Sequence, residues 1–153
     1  MAFQILGLPA TPFQPLFALD DAALVAHRAV RRIADASPGY PCRVSLRDAA
    51  PGETVVLVHY EHHVVESPFR ASHAIYVREH AEPAELAAGE VPVMLRSRLL
   101  SLRAFDAAGM LVAADVVDGR ELEPALERLL RAAAYVHIHF AKPGCYAARA
   151  ITA

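Results

Sequence analysis

Two runs of β-forming residues, 97–105 and 110–117, are joined by only Asp106-Ala107-Ala108-Gly109. A link that short cannot carry a crossover, so the two runs must be antiparallel neighbours, with Gly109 supplying the positive φ a tight turn needs. The end of the chain repeats the arrangement. Residues 135–140 (YVHIHF) and 146–151 flank Pro143-Gly144, a pair suited to the centre of a type II turn. Successive hairpins of this kind argue against regular βαβ alternation and for an antiparallel sheet.

The remaining segments fill in that frame. Residues 3–8 read as a short strand that stops at Pro9. Residues 54–60 (TVVLVHY) are β-branched and apolar on both faces, as expected of a central strand. Short strands are also expected near 43–46 and 74–78, and a helical turn within 81–89. Asp20-Asp21 can cap a helix whose apolar positions 22, 23, 25, 26, 29, 30 and 33 fall on one face, which predicts a helix through Ile33. Leu122, Leu126, Leu129, Leu130 and Ala133 predict a second, with Pro124 in its first turn. The expectation is a single α+β domain over 1–153. It has about seven strands in a mainly antiparallel sheet, able to curl toward a barrel, and two main helices.

Charge and targeting signals exclude several functions. The formal charge is −2, with 15 basic against 17 acidic residues, so no basic field for nucleic acid exists. No stretch reaches the length of a membrane span, and the N-terminus lacks the pattern of a secretory signal. Two cysteines do not make a disulfide framework. A cytoplasmic protein with reduced thiols is expected. There is no glycine-rich phosphate loop and no GxSxG elbow. Fourteen of the fifteen basic residues are Arg, with Lys142 alone as Lys. Arg offers a planar fork matched to carboxylates and phosphates.

Four constellations could carry chemistry. His137 and His139 share one face of a strand, with Cα atoms roughly 6.5–7 Å apart, close enough to hold one metal ion. Val136, Ile138 and Phe140 then form the core side. Glu61 or His62 from another strand would complete such a site. A zinc-like transition metal nevertheless ranks behind other readings, because HxH alone is a weak signal and no CxxC or HExxH accompanies it. Cys42 and Cys145 both sit in turns, where either could act as a nucleophile with His139 or the adjacent Arg43. Arg43, Arg70, Arg98 and Arg103 could grip a carboxylate or phosphate, although Arg98 and Arg103 have opposite strand parity. In Glu61-His62-His63, regular alternation sends Glu61 and His63 one way and His62 the other.

Several strings taken together carry a resemblance: GYPCRVSLRDAAPGETVVLVHYEHH (39–63), SPFRASHAIYVRE (67–79), RSRLLSLRAFDAAG (96–109) and VHIHFAKPGCYAAR (136–149). The chain resembles the uncharacterised bacterial family called domain of unknown function 1203. The resemblance implies a small free-standing protein and assigns no reaction to any residue. The leading expectation is a binder of a small anion through Arg43, Arg70, Arg98, Arg103, Glu61 and His62. The alternative is a thiol- or metal-dependent enzyme using Cys145 or Cys42 with His139.

Overall fold

The computed structural model describes residues 2–153, and the hairpins expected from the sequence set its architecture. The strands are β1 (Phe3–Leu6), β2 (Ala29–Ile33), β3 (Thr54–His63), β4 (Ala71–Arg78), β5 (Leu99–Phe105), β6 (Leu111–Asp118), β7 (Tyr135–Phe140) and β8 (Tyr146–Thr152). The helices are α1 (Asp21–Ala26), α2 (Val93–Arg96) and α3 (Leu122–Leu130). The strands form two antiparallel sheets, one ordered β1-β8-β7-β5-β6 and the other β2-β3-β4. The fold is therefore α+β, with eight strands rather than about seven and no closed barrel among the described residues. No described helix is long and apolar enough to cross a membrane.

Strand parity gives the five-stranded sheet two chemically different faces. Leu100, Leu102 and Ala104 of β5, with Val136, Ile138 and Phe140 of β7, point to one core, where Leu122, Ala125, Leu126 and Leu129 of α3 cover them. The 3.6-residue spacing of α3 places these apolar residues on one stripe. The opposite face carries Ser101, Arg103 and Phe105 alongside His139, His137 and Tyr135, their cross-strand partners. This polar face is not open to water. All six residues of β7 are buried, because the three-stranded sheet lies over it.

The three-stranded sheet is graded along its inner face. At one end Val56, Val58, Ile75 and Val77 pack on Phe13, Leu16, Leu24, Cys42 and Val44. At the other end the same parity presents Tyr60 and His73, which are register partners, and His62.

Three expectations change. The helix predicted through Ile33 ends at Ala26. Arg28 takes φ 54° and residues 29–33 pair with β3 instead. Ladder hydrogen bonds and the β preference of Val30 and Ile33 outweigh an apolar period that fits a helix, and both side chains stay exposed on the strand. Residues 43–46 form buried turns tied by isolated bridges (Pro41 to Asp48, Cys42 to Tyr76), not a strand. Residues 81–89 hold no helix, and the short helix falls at Val93–Arg96.

Gly119 precedes α3 at a point of close approach. A Cβ there would stand 2.0 Å from the Leu95 carbonyl oxygen and 2.7 Å from that of Arg96. Backbone cannot yield as a flexible side chain can. Gly119→Ala is expected to cost about 1–3 kcal/mol through overpacking. A urea melt with a midpoint equal to that of the unsubstituted protein would refute this.

Candidate functional site

The polar layer between the sheets holds four imidazoles, each touching at least two of the others. His137 and His139 project from β7, His62 from the end of β3 and His73 from β4. One ring nitrogen from each of His62, His137 and His139 lies within 4.8 Å of the other two. Nitrogens around a tetrahedral zinc at 2.0–2.1 Å stand about 3.3 Å apart. The three nitrogens therefore stand within reach of one ion, up to about 1.5 Å wider apart than a tetrahedral zinc sets them.

The hydrogen bonds around these rings leave ring nitrogens without partners. His139 Nδ1–H donates to the Gly144 carbonyl (3.0 Å), which leaves its Nε2 as the free acceptor. His62 Nε2 meets His73 Nδ1 at 2.6 Å, and a proton on that Nε2 leaves His62 Nδ1 as a bare lone pair. His62 Nδ1 and His137 Nδ1 are the buried side-chain polar atoms without any hydrogen-bond partner among the described residues. Orphaned buried polar atoms are uncommon and call for an explanation, an ion among them. Stacking fixes the His62 ring further: Tyr146 lies against it at 4.7 Å and 14° between planes, and His73 at 4.8 Å.

Electrostatics keeps the cluster neutral. Burial, reinforced by the neighbouring histidines, holds His62 down at about 3 and His137 at about 2. Burial likewise holds His139 at about 3, opposed only by its bond to Gly144. Neutral imidazole is the form that ligates metal. Burial also raises the Tyr146 phenol above its ordinary value.

His63 takes a different role. Between Glu61 and His63 the β3–β4 register slips, so the expected alternation fails and both His62 and His63 face inward. A bulge adds one residue and re-aims the side chains beyond it. His63, 3% exposed, donates from Nδ1 to the Phe69 carbonyl (2.7 Å) and accepts at Nε2 from the Tyr135 hydroxyl (2.6 Å). It is a fully satisfied core histidine.

The arginines expected to share a ligand are dispersed. Arg98 forms a two-pronged pair with Asp48 (2.6 and 2.9 Å), and Arg70 pairs with Glu61 on the surface (2.7 Å). Arg43 is 1% exposed. It donates to the carbonyls of Tyr146 (2.8 Å) and Pro41 (2.6 Å) and to Cys145 Sγ (3.0 Å), and stacks on Phe140. Of these four, Arg103 sits directly opposite His137 across the strands, and Arg149 of β8 flanks His137 on its other side, stacked over the Tyr135 ring. The cysteines also part company. Cys42 lies in the apolar core, its sulfur accepting from the backbone N–H of Arg78 (3.3 Å), while Cys145 is half-buried beside Arg43.

Sequence reasoning singled out neither His73 nor the anchoring role of His63. His73 shares its parity with Ile75 and Val77, the signal that would have turned it inward. A surface cleft of about 1010 Å³ runs along residues 45–48, 82–86 and 92–94, and its lining includes no histidine or cysteine. Size alone does not outweigh the clustered, partly unpartnered ring nitrogens of the histidine layer. A family model described as "Protein of unknown function (DUF1203)" matches residues 39–151. No curated protein and no solved structure matches.

Proposed function

We propose that this chain, which belongs to the DUF1203 family, is a metal-binding protein holding a zinc-class transition-metal ion on His62, His137 and His139. The observation that carries this reading is the pair of orphaned buried nitrogens, His62 Nδ1 and His137 Nδ1, within a three-histidine cluster. Metal coordination would satisfy both. Three neutral nitrogen donors suit zinc, copper or nickel better than magnesium or calcium, which prefer oxygen. Three protein ligands leave a coordination position open, the pattern of sites that do chemistry rather than merely brace a fold. His73 would position His62, as hydrogen-bond partners of metal-ligating histidines do.

Titration of chelator-stripped protein with Zn2+ tests the reading. One equivalent should bind with submicromolar affinity. His139→Ala should weaken binding at least about 100-fold, and His73→Ala about 10-fold or more. His59, exposed and outside the cluster, serves as the control, and His59→Ala should change nothing. Failure of wild-type protein to bind one equivalent, or equal affinity in the His139 and His59 variants, would reject the site.

A further inference from the structure

We propose that the metal site takes a small oxyanion, carboxylate-like, with one oxygen on the open coordination position and the others on the Arg103 guanidinium. This deepens the metal-site reading and rests on it.

Charge balance carries the argument. The metal cluster contains no carboxylate: its donors are His62, His137 and His139. An ion with charge +2 placed there gains no compensating charge from its ligands. Arg103 adds another positive charge on the same sheet face, opposite His137 in register, with Ser101 opposite His139. Cross-strand partners stand with Cβ atoms about 4.5–5.5 Å apart, within reach of a long side chain.

Arg103 also lacks the acidic partner that most arginines near the sheets have, and unlike Arg149, which is exposed and stacked on the Tyr135 ring, it is half-buried. Arg98 has Asp48, Arg78 has Glu53, and Arg43 has two carbonyls and Cys145 Sγ. Arg103 makes one long contact, Nε to Ser101 Oγ at 3.4 Å, which leaves both terminal nitrogens of its fork uncommitted. Burial lowers its pKa and no acidic side chain acts on it. Its charge is felt at His62, His73 and His139. A half-buried guanidinium without a counter-ion, beside a cationic metal, is a place for an anion. The rings limit its size. Tyr146 stacks on His62 and meets His137 edge-on at 5.0 Å, closing one side.

Cobalt substitution gives a test in two stages. Co2+-loaded wild-type protein should show the visible bands of a low-coordinate cobalt site. Acetate, added at fixed ionic strength, should shift them with saturation. Arg103→Met should keep the cobalt bands but weaken the acetate effect at least about tenfold. Arg103→Lys keeps the charge without the fork and should recover only part of the loss. Absence of cobalt bands in wild type overturns the metal site and this assignment together. Bands that acetate does not shift, or shifts equally in wild type and Arg103→Met, overturn the anion assignment alone. Should Arg103→Met fail to take up cobalt, the Arg103→Lys comparison decides, and acetate affinity equal to wild type overturns the proposal.

Discussion

Metal-free protein is expected to lose about 4 kcal/mol of stability between pH 7 and pH 5 through His137 and His139 alone. Both side chains are nearly inaccessible, at 2% and 1% exposure. Burial holds them at about 2 and about 3, against about 6.5 in an unfolded chain. Above pH 6.5 both states hold neutral imidazoles and no linkage exists. Below it the unfolded chain takes up protons that the folded protein refuses, so stability falls as pH falls. At pH 5 each group has lost about 1.5 pH units of linkage, roughly 2 kcal/mol. Small domains have about 5–15 kcal/mol in total, so an acid transition should fall between about pH 5 and pH 4. His62 adds to the effect, reduced by its partial exposure. Urea melts with chelator at pH 7, 6 and 5 measure it. His137→Phe should flatten the dependence. A midpoint that stays level from pH 7 to pH 5 would show that the folded protein accepts protons at these sites.

The second large effect concerns Arg43. Its guanidinium is buried without a carboxylate and tethers the 41–48 turns to the start of β8. Arg43→Ala strips the donor from two carbonyls, at roughly 1–3 kcal/mol each, and opens a cavity beneath Phe140. Relief of burying an unpaired cation offsets part of this. The net loss should be about 3–5 kcal/mol, a drop in Tm on the order of 10 °C for a domain of this size. Arg43→Lys should restore less than half, because one ammonium cannot span both carbonyls and the sulfur. Thermal denaturation of both variants decides, and a Tm within about 2 °C of wild type for Arg43→Ala would remove Arg43 from the stabilising contacts.

Local features of the fold were legible in the chain. The two hairpins and α3 follow from turn residues and short-range periodicity, and the structure has them where those signals stand. The segment after α1 carries apolar residues 29, 30 and 33 at helical spacing, and only pairing with β3, a long-range contact, makes it a strand. The site divides the same way. HxH on β7 and its apolar opposite face are visible in six consecutive residues. That the polar face is roofed by a second sheet is a long-range fact, and it turns solvent-facing histidines into buried ones. Arg98 and Arg103 could be told apart by parity, but the Asp48 that claims Arg98 lies fifty residues away in sequence.

The slip in register near the end of β3 has a consequence for how the protein can vary. A strand that alternates faithfully offers one inward place for every two residues. Here two adjacent imidazoles both turn inward and divide the labour, His63 as a joint between sheets and His62 as a donor to the cluster. Deleting either residue would restore simple alternation and leave one ring for two posts. Length in this stretch is therefore as tightly constrained as identity: a lineage could exchange one imidazole for another donor more readily than it could shorten the chain by a single residue.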